Sequence, residues 1–384
     1  MAIADRAYLA GGRAGAGLTA LEAETKRILA VLSKTGATHV EPPALQPAKA
    51  LLDLYGEDIR ARAFMTRDDR GEMMLRPDFT LPIVRLHMEQ AVSPARYVYS
   101  GSVWRRQEFG SLRPREYLQT GLEIFGETDV PHTDAEVLCL IREALSDLPV
   151  RIVTGDMGLL IAGIDALETS EARRNALRRH LWRPKRFQQL LRRFGPLKDK
   201  MTAARTDLLD AARSGRLLEL IAEAGVQVGS RTREEVAARV ARLLAEAETP
   251  ALDNGKVAAL EAIMAIKGNC FTALGDLRGV SASLPGLIPA IDRFEARLDA
   301  FAHHGVAPET LGFEAEFGRT TLEYYDGFVF GAVADNRDDL PPIASGGRYD
   351  ALTEIVGHGR KMPAVGAIIR PEALLAVKEG LPSC

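Results

Sequence analysis

The sequence predicts an α+β protein in which a helical domain interrupts a core of strands and helices. Strand formers dominate residues 73–123 and return from residue 311 onward. Between these regions, residues 158–275 are dominated by Ala, Leu, Arg and Glu at helical spacing, with few strand formers. We therefore predict one α+β domain built from residues 1–157 and 276–384, with a helical insertion at 158–275.

Composition restricts the class of protein. The 384 residues are 46% hydrophobic and 26% charged, which is ordinary for a globular protein. A formal net charge of −3 gives no overall field that favours nucleic acid or an anionic membrane. The three cysteines form no CxxC pair, and no apolar run reaches the length of a membrane span. We therefore expect a cytoplasmic protein without a membrane partner.

The elements of the core follow from local patterns. The T-x-x-E sequence of Thr19 and Glu22 predicts a capping box that starts a helix there, and Gly36 predicts its end. A second, amphipathic helix is predicted from Asp134 to Leu145. Strands are predicted at MMLRP, RYVYSGSVWR, EYLQTGLEIFG, VRIVTGD, LGFEAEFG, TLEYYDGFVFGAVAD, PPIASGG and PAVGAII.

The strand EYLQTGLEIFG has one face suited to a small polar ligand. Its leucines and isoleucine share one face, which we interpret as core, whereas Gln119, Gly121 and Glu123 share the other. An amide, an absent side chain and a carboxylate in a row need partners if they are buried. The alternative is a solvated strand face with a glycine bulge.

Two tyrosines are candidates for the same kind of site. If TLEYYDGFVF is a strand throughout, Tyr324 faces the core and Tyr325 faces the space above Gly327. Tyr349 of the GGRYD segment could present its hydroxyl in the same way. The alternative is that each buried tyrosine bonds its hydroxyl to backbone.

Arginines and histidines suggest different roles. LRPDFTLPIVR and VWRRQEFGSLRPRE hold several arginines, whose forked groups suit carboxylates and phosphates, although surface salt bridges are the common alternative. The seven histidines lack metal-ligand spacing with cysteines or acidic residues, so we predict no metal site.

Taken together, LRPDFTLPIVR, VWRRQEF, RPREYLQTGLEIFG, LEYYDGFVF and GGRYDALTEI…PAVGAII resemble the signature segments of the class II histidyl-tRNA synthetase family, in the same order. The resemblance covers roughly residues 40–165 and 305–375. It implies a class II catalytic domain with a mostly antiparallel sheet flanked by helices, a helical insertion, and a dimer formed through the first motif region.

The resemblance also implies a histidine-binding set. Its positions in this sequence are Asp78, Thr80, Gln119, Glu123, Tyr325 and Tyr349. Aspartate stands at 78 where the family has glutamate. A carboxylate and phenol hydroxyls can pair with imidazole N–H groups, and acidic groups can pair with an ammonium.

The positions that handle ATP depart from the family pattern. One family arginine survives as Arg105, but the other two positions are Thr320 and Ala373, with Arg319 and Arg370 nearby and out of register. Removing two cations from a phosphate site costs transition-state stabilisation. The nine residues after Leu375 are also too few for an anticodon-binding domain, which we expect to be absent.

A histidine pocket without these cations is similar to the family of ATP phosphoribosyltransferase regulatory subunits, which are synthetase paralogues without aminoacylation activity. The resemblance implies a partner, the short-form catalytic subunit, and a ligand, L-histidine, acting in feedback inhibition of the first step of histidine biosynthesis. It further implies a homodimer within a larger hetero-oligomer, and no cofactor.

Two alternatives remain at this point. One is a truncated or divergent histidyl-tRNA synthetase that still activates histidine with ATP. The other is a paralogue that binds tRNA or modifies a protein, supported by the basic run 173–194. We expect no tRNA partner, because that run lacks interleaved exposed aromatic residues and a recognisable RNA motif.

Overall fold

A computed structural model of the chain describes residues 13–49, 62–69, 71–90, 92–107, 111, 113–145, 148–196, 203–223, 232–319, 324–335 and 337–380. Two compact units make up this part of the chain. The first falls within Met1–Leu160, Met264–Gly279 and Ile288–Cys384, and the second within Ile161–Ile263 and Val280–Leu287. The predicted limits of the helical insertion, 158–275, stay a prediction.

The first unit contains two sheets. The strands are β1 (Thr38–His39), β2 (Leu45–Pro47), β3 (Met65–Asp68), β4 (Gly71–Leu75), β5 (Ala95–Trp104), β6 (Glu116–Phe125), β7 (Val150–Asp156), β8 (Lys267–Asn269), β9 (Gly312–Glu314), β10 (Phe328–Ala334), β11 (Ala344–Arg348) and β12 (Ala364–Ile369). Nine form one sheet in the order β1-β5-β6-β12-β11-β10-β7-β9-β8, and β2-β4-β3 form the other. All neighbours are antiparallel except the pairs β1–β5 and β7–β9.

The α-helices of both units are α1 (Gly15–Leu32), α2 (Thr80–Gln90), α3 (Val130–Ala144), α4 (Met157–Asp165), α5 (Glu171–Arg179), α6 (Pro184–Phe194), α7 (Ala203–Arg213), α8 (Leu217–Glu223), α9 (Arg233–Glu248), α10 (Asn254–Ala265), α11 (Cys270–Ser281), α12 (Ile288–His303), α13 (Asp350–Val356) and α14 (Pro371–Lys378). Among the described helices, none combines the length and apolar character needed to cross a membrane.

The first helix begins earlier than the sequence predicts. It starts at Gly15 with Ala14 as N-cap and no side-chain cap, so the predicted capping box of Thr19 and Glu22 is wrong. The hydroxyl of Thr19 instead donates to the carbonyl of Gly15 one turn earlier, at 3.3 Å. Such back-bonding is the usual fate of a threonine inside a helix.

The helix α2 lies in a region that the sequence analysis described only as strand-like. Pro82 stands in its first turn, where the missing N–H costs no helical hydrogen bond. Its residues Thr80 to Val84 are all buried, so a short segment without a polar face gave little helical periodicity to detect.

A buried chain of charges fixes the centre of the first unit. Asp134 of α3 accepts from Arg297 Nη1 at 3.2 Å and from Arg348 Nε at 2.9 Å. Arg297 also pairs with Asp156, and Arg348 donates to Asp350 at 3.0 Å. This network joins two strand ends to three helices, and it fixes the residues on either side of Tyr349.

The second unit is helical and holds a buried arginine. Arg173 of α5 is 1% exposed and lies at the end of α9, where carbonyl groups have no partner within the helix. It donates to the carboxylate of Glu246 at 3.1 Å and to the carbonyls of Glu246, Thr249 and Pro250. A cation at a helix C-terminus also complements the helix dipole.

The helix α6 is amphipathic. Its hydrophobic residues Phe187, Leu190, Leu191 and Phe194 are buried. The exposed side carries Lys185, Arg186, Arg192 and Arg193, and none of these four forms an ion pair with a described residue.

Candidate functional site

The first unit encloses a pocket with about 330 Å³ of empty space, part of it open to solvent. Its floor comes from the facing strands β6 and β12, and its walls come from the start of α2 and the segments that flank β10 and β11. The lining residues are Asp78, Thr80, Arg105, Gln119, Glu123, Tyr324, Tyr325, Ser345, Tyr349, Gly366, Ala367, Ile368 and Arg370.

Glu123 is the most enclosed acidic group of the pocket. It is 1% exposed, and its carboxylate accepts hydrogen bonds from Thr80 Oγ1 at 2.9 Å, from Tyr99 at 3.0 Å and from Tyr349. Burial raises the pKa of Glu123 to about 7, although the three hydroxyl donors favour the ionised form. The carboxyl group therefore changes its charge near neutral pH.

A missing side chain makes room for this carboxylate. Gly366 lies opposite Glu123 in the β6–β12 register. A Cβ atom at Gly366 would lie 1.5 Å from Glu123 Oε2, so only glycine allows the carboxylate its position. Gly121 has the same relation to Tyr99, whose hydroxyl would lie 2.6 Å from an added Cβ.

Two acceptor atoms of the pocket have no hydrogen-bond partner in the part of the chain that the structure describes. Asp78 Oδ1 and Gln119 Oε1 are buried and form no hydrogen bond with any described residue. Burial raises the pKa of Asp78, and the charge of Arg105 opposes that rise. A buried acceptor without a partner carries a large desolvation cost, so these atoms fit a ligand that brings N–H donors.

Two arginines line the pocket as well. Arg105 donates from Nε to the carbonyl of Pro77 at 2.8 Å. Arg370 donates from Nη1 to the carbonyl of Pro342 at 2.5 Å and is hydrogen-bonded to the hydroxyl of Tyr117. Burial, together with the charge of Arg105, lowers the pKa of Arg370. The pocket thus has acceptors on some walls and cations on others.

The residues that the resemblance implied for histidine binding lie together here. Asp78, Thr80, Gln119, Glu123, Tyr325 and Tyr349 all line the pocket, and Arg105 does too. The assignment of these residues to histidine stays a prediction. Thr320, the other departure from the ATP site, lies outside the described residues. Ala373 is buried on α14 and does not line the pocket.

The predicted faces of TLEYYDGFVF are wrong in one respect. The strand β10 begins at Phe328, so the tyrosines lie in the irregular segment before it and do not alternate. Tyr324 therefore lines the pocket beside Tyr325, and its hydroxyl donates to Thr80 Oγ1 at 3.4 Å. Gly327, whose added Cβ would contact the Arg348 side chain, marks the end of this segment.

Three polar side chains of the pocket were not among the predicted site residues: Tyr324, Ser345 and Arg370. Strand alternation could have found Arg370, because it continues the side of β12 that includes Gly366 and Ile368. Arg319, by contrast, is buried away from the pocket, where it contacts Glu316 and Met264. No group of three or more His, Cys, Asp or Glu that could hold a metal occurs within the described ranges.

Comparison with known proteins shows which family this chain belongs to. A family model described as histidyl-tRNA synthetase matches residues 18–249 and 219–374. A protein of Brucella canis named ATP phosphoribosyltransferase regulatory subunit is 34% identical over 378 residues, covering 90% of this chain and 94% of that protein. A protein of the same name from Brucella ovis is 33% identical over the same shares.

The chain belongs to the histidyl-tRNA synthetase-like family of ATP phosphoribosyltransferase regulatory subunits. The resemblance found in the sequence is thereby confirmed. The role of the chain is regulatory and not catalytic.

Solved structures confirm the predicted class II fold with its mixed sheet and flanking helices. A Bacillus halodurans protein titled ATP phosphoribosyltransferase regulatory subunit/histidyl-tRNA synthetase aligns with a TM-score of 0.65 at 19% identity, covering 96% of this chain and 81% of that one. A histidine–tRNA ligase subunit from Alicyclobacillus acidocaldarius aligns with a TM-score of 0.58 at 23% identity, covering 97% of each chain.

Proposed function

We propose that this chain is the regulatory subunit of a short-form ATP phosphoribosyltransferase and binds L-histidine in the pocket whose floor is formed by β6 and β12. The observation that carries the proposal is the pair of unpartnered buried acceptors, Asp78 Oδ1 and Gln119 Oε1, beside the enclosed carboxylate of Glu123. Histidine brings an ammonium group and an imidazole N–H, which are the donors these atoms lack.

Feedback inhibition would follow from linkage. Histidine can shift the catalytic subunit only if it binds two states of the assembly with different affinity, and the coupling is reciprocal. In this proposal the catalytic subunit is active when associated with this chain, and histidine favours a less active state. The assembly would be a cytoplasmic hetero-oligomer containing homodimers of this chain.

Reconstitution tests the regulatory part of the proposal. Short-form catalytic subunit is assayed for phosphoribosyl transfer alone, with this chain, and with this chain plus L-histidine. We expect activity only with the chain present, and a loss of activity as histidine is added. Activity that does not depend on the chain would contradict the proposal.

Calorimetry of the purified chain with L-histidine tests the pocket. We expect Glu123→Ala to abolish binding, because the carboxylate lines the pocket and accepts hydrogen bonds from Thr80, Tyr99 and Tyr349. Glu354→Ala on α13 is the matched control, since Glu354 is exposed and does not line the pocket. Unchanged binding in Glu123→Ala would remove the pocket from the proposal while leaving reconstitution to be judged separately.

A further inference from the structure

The pocket contains a cation, that of Arg370, which no described residue neutralises. Arg370 forms no ion pair with any described residue, and burial together with the charge of Arg105 lowers its pKa. Its known partners are a carbonyl group, that of Pro342, and a phenol hydroxyl, that of Tyr117. Both are neutral, so this half-buried charge has no counter-charge among the described residues, which is unfavourable where solvent is partly excluded.

The neighbouring arginine does not resolve this imbalance. Burial raises the pKa of Asp78 and the charge of Arg105 opposes that rise, whereas the same charge disfavours the charged form of Arg370. Arg105 and Arg370 thus bring two guanidinium groups close together in the lining of the pocket. Such a lining favours an anionic ligand group.

The strand register places Arg370 beside the unpartnered acceptors. Thr120 pairs with Ile369 as the last pair of β6 and β12, so one further step sets Arg370 opposite Gln119. Side chains alternate along a strand, and Arg370 therefore continues the side of β12 that faces the pocket at Gly366 and Ile368. The side chains of Gln119 and Arg370 therefore belong to facing positions at the end of the two strands.

We infer that Arg370 forms an anion subsite that binds the carboxylate of a zwitterionic amino acid whose ammonium group lies at Asp78 and Gln119. The inference rests on the proposed function and extends it by assigning the two ends of the ligand. Arginine binds a carboxylate through two parallel N–H bonds, which fixes its orientation as well as its position. The carboxylate then supplies the counter-charge that Arg370 lacks in the free protein.

Selectivity between two ligands tests this assignment. Histamine has the imidazole and the ammonium group of histidine but no carboxylate. We expect the unaltered chain to bind L-histidine more tightly than histamine in calorimetric titrations. Arg370→Gln should weaken histidine binding by about 10- to 100-fold and leave histamine binding unchanged, since only histidine loses a charge-assisted bond. Arg370→Lys, which keeps the charge but loses the fork, should give an intermediate value for histidine.

Controls separate a binding role from a structural one. Arg337→Gln removes an arginine of the same unit that pairs with Asp339 outside the pocket, and it should change neither affinity. If Arg370→Gln weakened both ligands equally, or neither, Arg370 would be a structural residue and the inference would be overturned. Equal affinity of the unaltered chain for the two ligands would overturn it as well.

Competition experiments test whether Arg370 binds a carboxylate or a phosphate group. Inorganic phosphate and ATP are added to the histidine titration of the unaltered chain, and we expect neither to displace histidine. Displacement by phosphate that Arg370→Gln abolishes would assign the subsite to a phosphate group and overturn the carboxylate assignment. The proposed function itself would be contradicted by other results: the unaltered chain would not bind histidine, or it would not activate the catalytic subunit.

Discussion

At the scale of single residues, the pocket requires a glycine at position 366, because a larger residue there would displace the Glu123 carboxylate. Gly366 has no Cβ, and Glu123 Oε2 occupies the space where one would be. The three hydroxyl donors to Glu123 come from α2, from β5 and from the residue after β11, so the carboxylate position is determined from several directions. A change at the glycine therefore alters the whole hydrogen-bonded group.

Gly366→Ala tests this dependence. The added Cβ requires Glu123 to move from its three donors, so we expect about 1–3 kcal/mol of lost stability, typical of overpacking, and a loss of histidine binding. Urea unfolding and calorimetry measure the two effects. Gly275→Ala in α11 is the control, since a Cβ there meets open space and alanine should stabilise the helix by about 0.5–1 kcal/mol. Full histidine binding in Gly366→Ala would refute the steric argument.

The protonation of Glu123 makes stability depend on pH. Its pKa is about 7 in the folded chain against an ordinary value of 4.5, so the folded state holds more protons between these values. The free energy of unfolding therefore falls as pH rises from 4.5 to 7, by about 3 kcal/mol from this group. Asp78, buried beside it, contributes in the same direction.

Glu123→Gln isolates this contribution, because an amide does not titrate in this range. We expect the stability difference between Glu123→Gln and the unaltered chain to grow in favour of the variant from pH 5 to pH 8. Urea unfolding at both pH values gives the result. Asp134 and Asp326, whose pKa values burial also raises, are present in both proteins and cancel in the comparison. A difference that did not change with pH would show that the carboxyl group titrates normally.

At the scale of elements, the charged network holds the strand end that carries Tyr349. Asp134 on α3 accepts from both Arg297 and Arg348, and it is fully buried. Asp326, in the segment before β10, accepts from the N–H groups of Asp350 and Ala351 at the start of α13. The β11–α13 junction is thus fixed through charges and backbone bonds and not through hydrophobic packing alone.

Asp134→Asn should destabilise the chain by about 3–5 kcal/mol, because it leaves two buried guanidinium groups short of a counter-charge. Chemical unfolding measures the effect. Asp339→Asn is the matched control: its pair with Arg337 is on the surface, and we expect a change within about 1 kcal/mol. Equal effects of the two substitutions would show that burial does not determine how much these ion pairs contribute to the free energy of unfolding.

The sequence predicted those elements whose pattern is local. Strand alternation identified β6 and brought Gln119 and Glu123 to one face, and the glycine-rich GGRYD segment located Tyr349. The faces of Tyr324 and Tyr325 were predicted wrongly because the strand begins only three residues after Tyr325. The Asp326-Gly327 pair, a turn signal, could have marked that start. The helix α2 was missed because its buried first turns show no polar face.

At the scale of the whole molecule, charge is distributed unevenly. Residues 173–194 hold nine lysine and arginine residues and no acidic one, so subtracting this +9 from the chain's −3 leaves −12 for the remainder. The arginines of α5 are largely paired, whereas the exposed side of α6 is not. The second unit therefore presents a local positive surface on a chain that is acidic elsewhere.

We expect this surface to retain the chain on a heparin column despite its negative net charge, with elution as salt screens the contacts. Lys185→Glu with Arg186→Glu should elute at lower salt. Lys267→Glu with Arg278→Glu makes the same change in total charge in the first unit, where both residues are already paired, and should elute like the unaltered chain. Equal behaviour of the two double variants would show that the α6 surface has no special role.

The hydrogen bond from Tyr349 to Glu123 also limits when the pocket can form during protein synthesis. The two residues are 226 positions apart, and Gly366 comes later still. At about 5–20 residues per second, synthesis from one to the other takes roughly 10–45 s. During that interval Glu123 lacks the hydroxyl donor Tyr349, and β6 lacks its neighbouring strand β12. A nascent chain therefore cannot form the complete pocket before Gly366 has been synthesised.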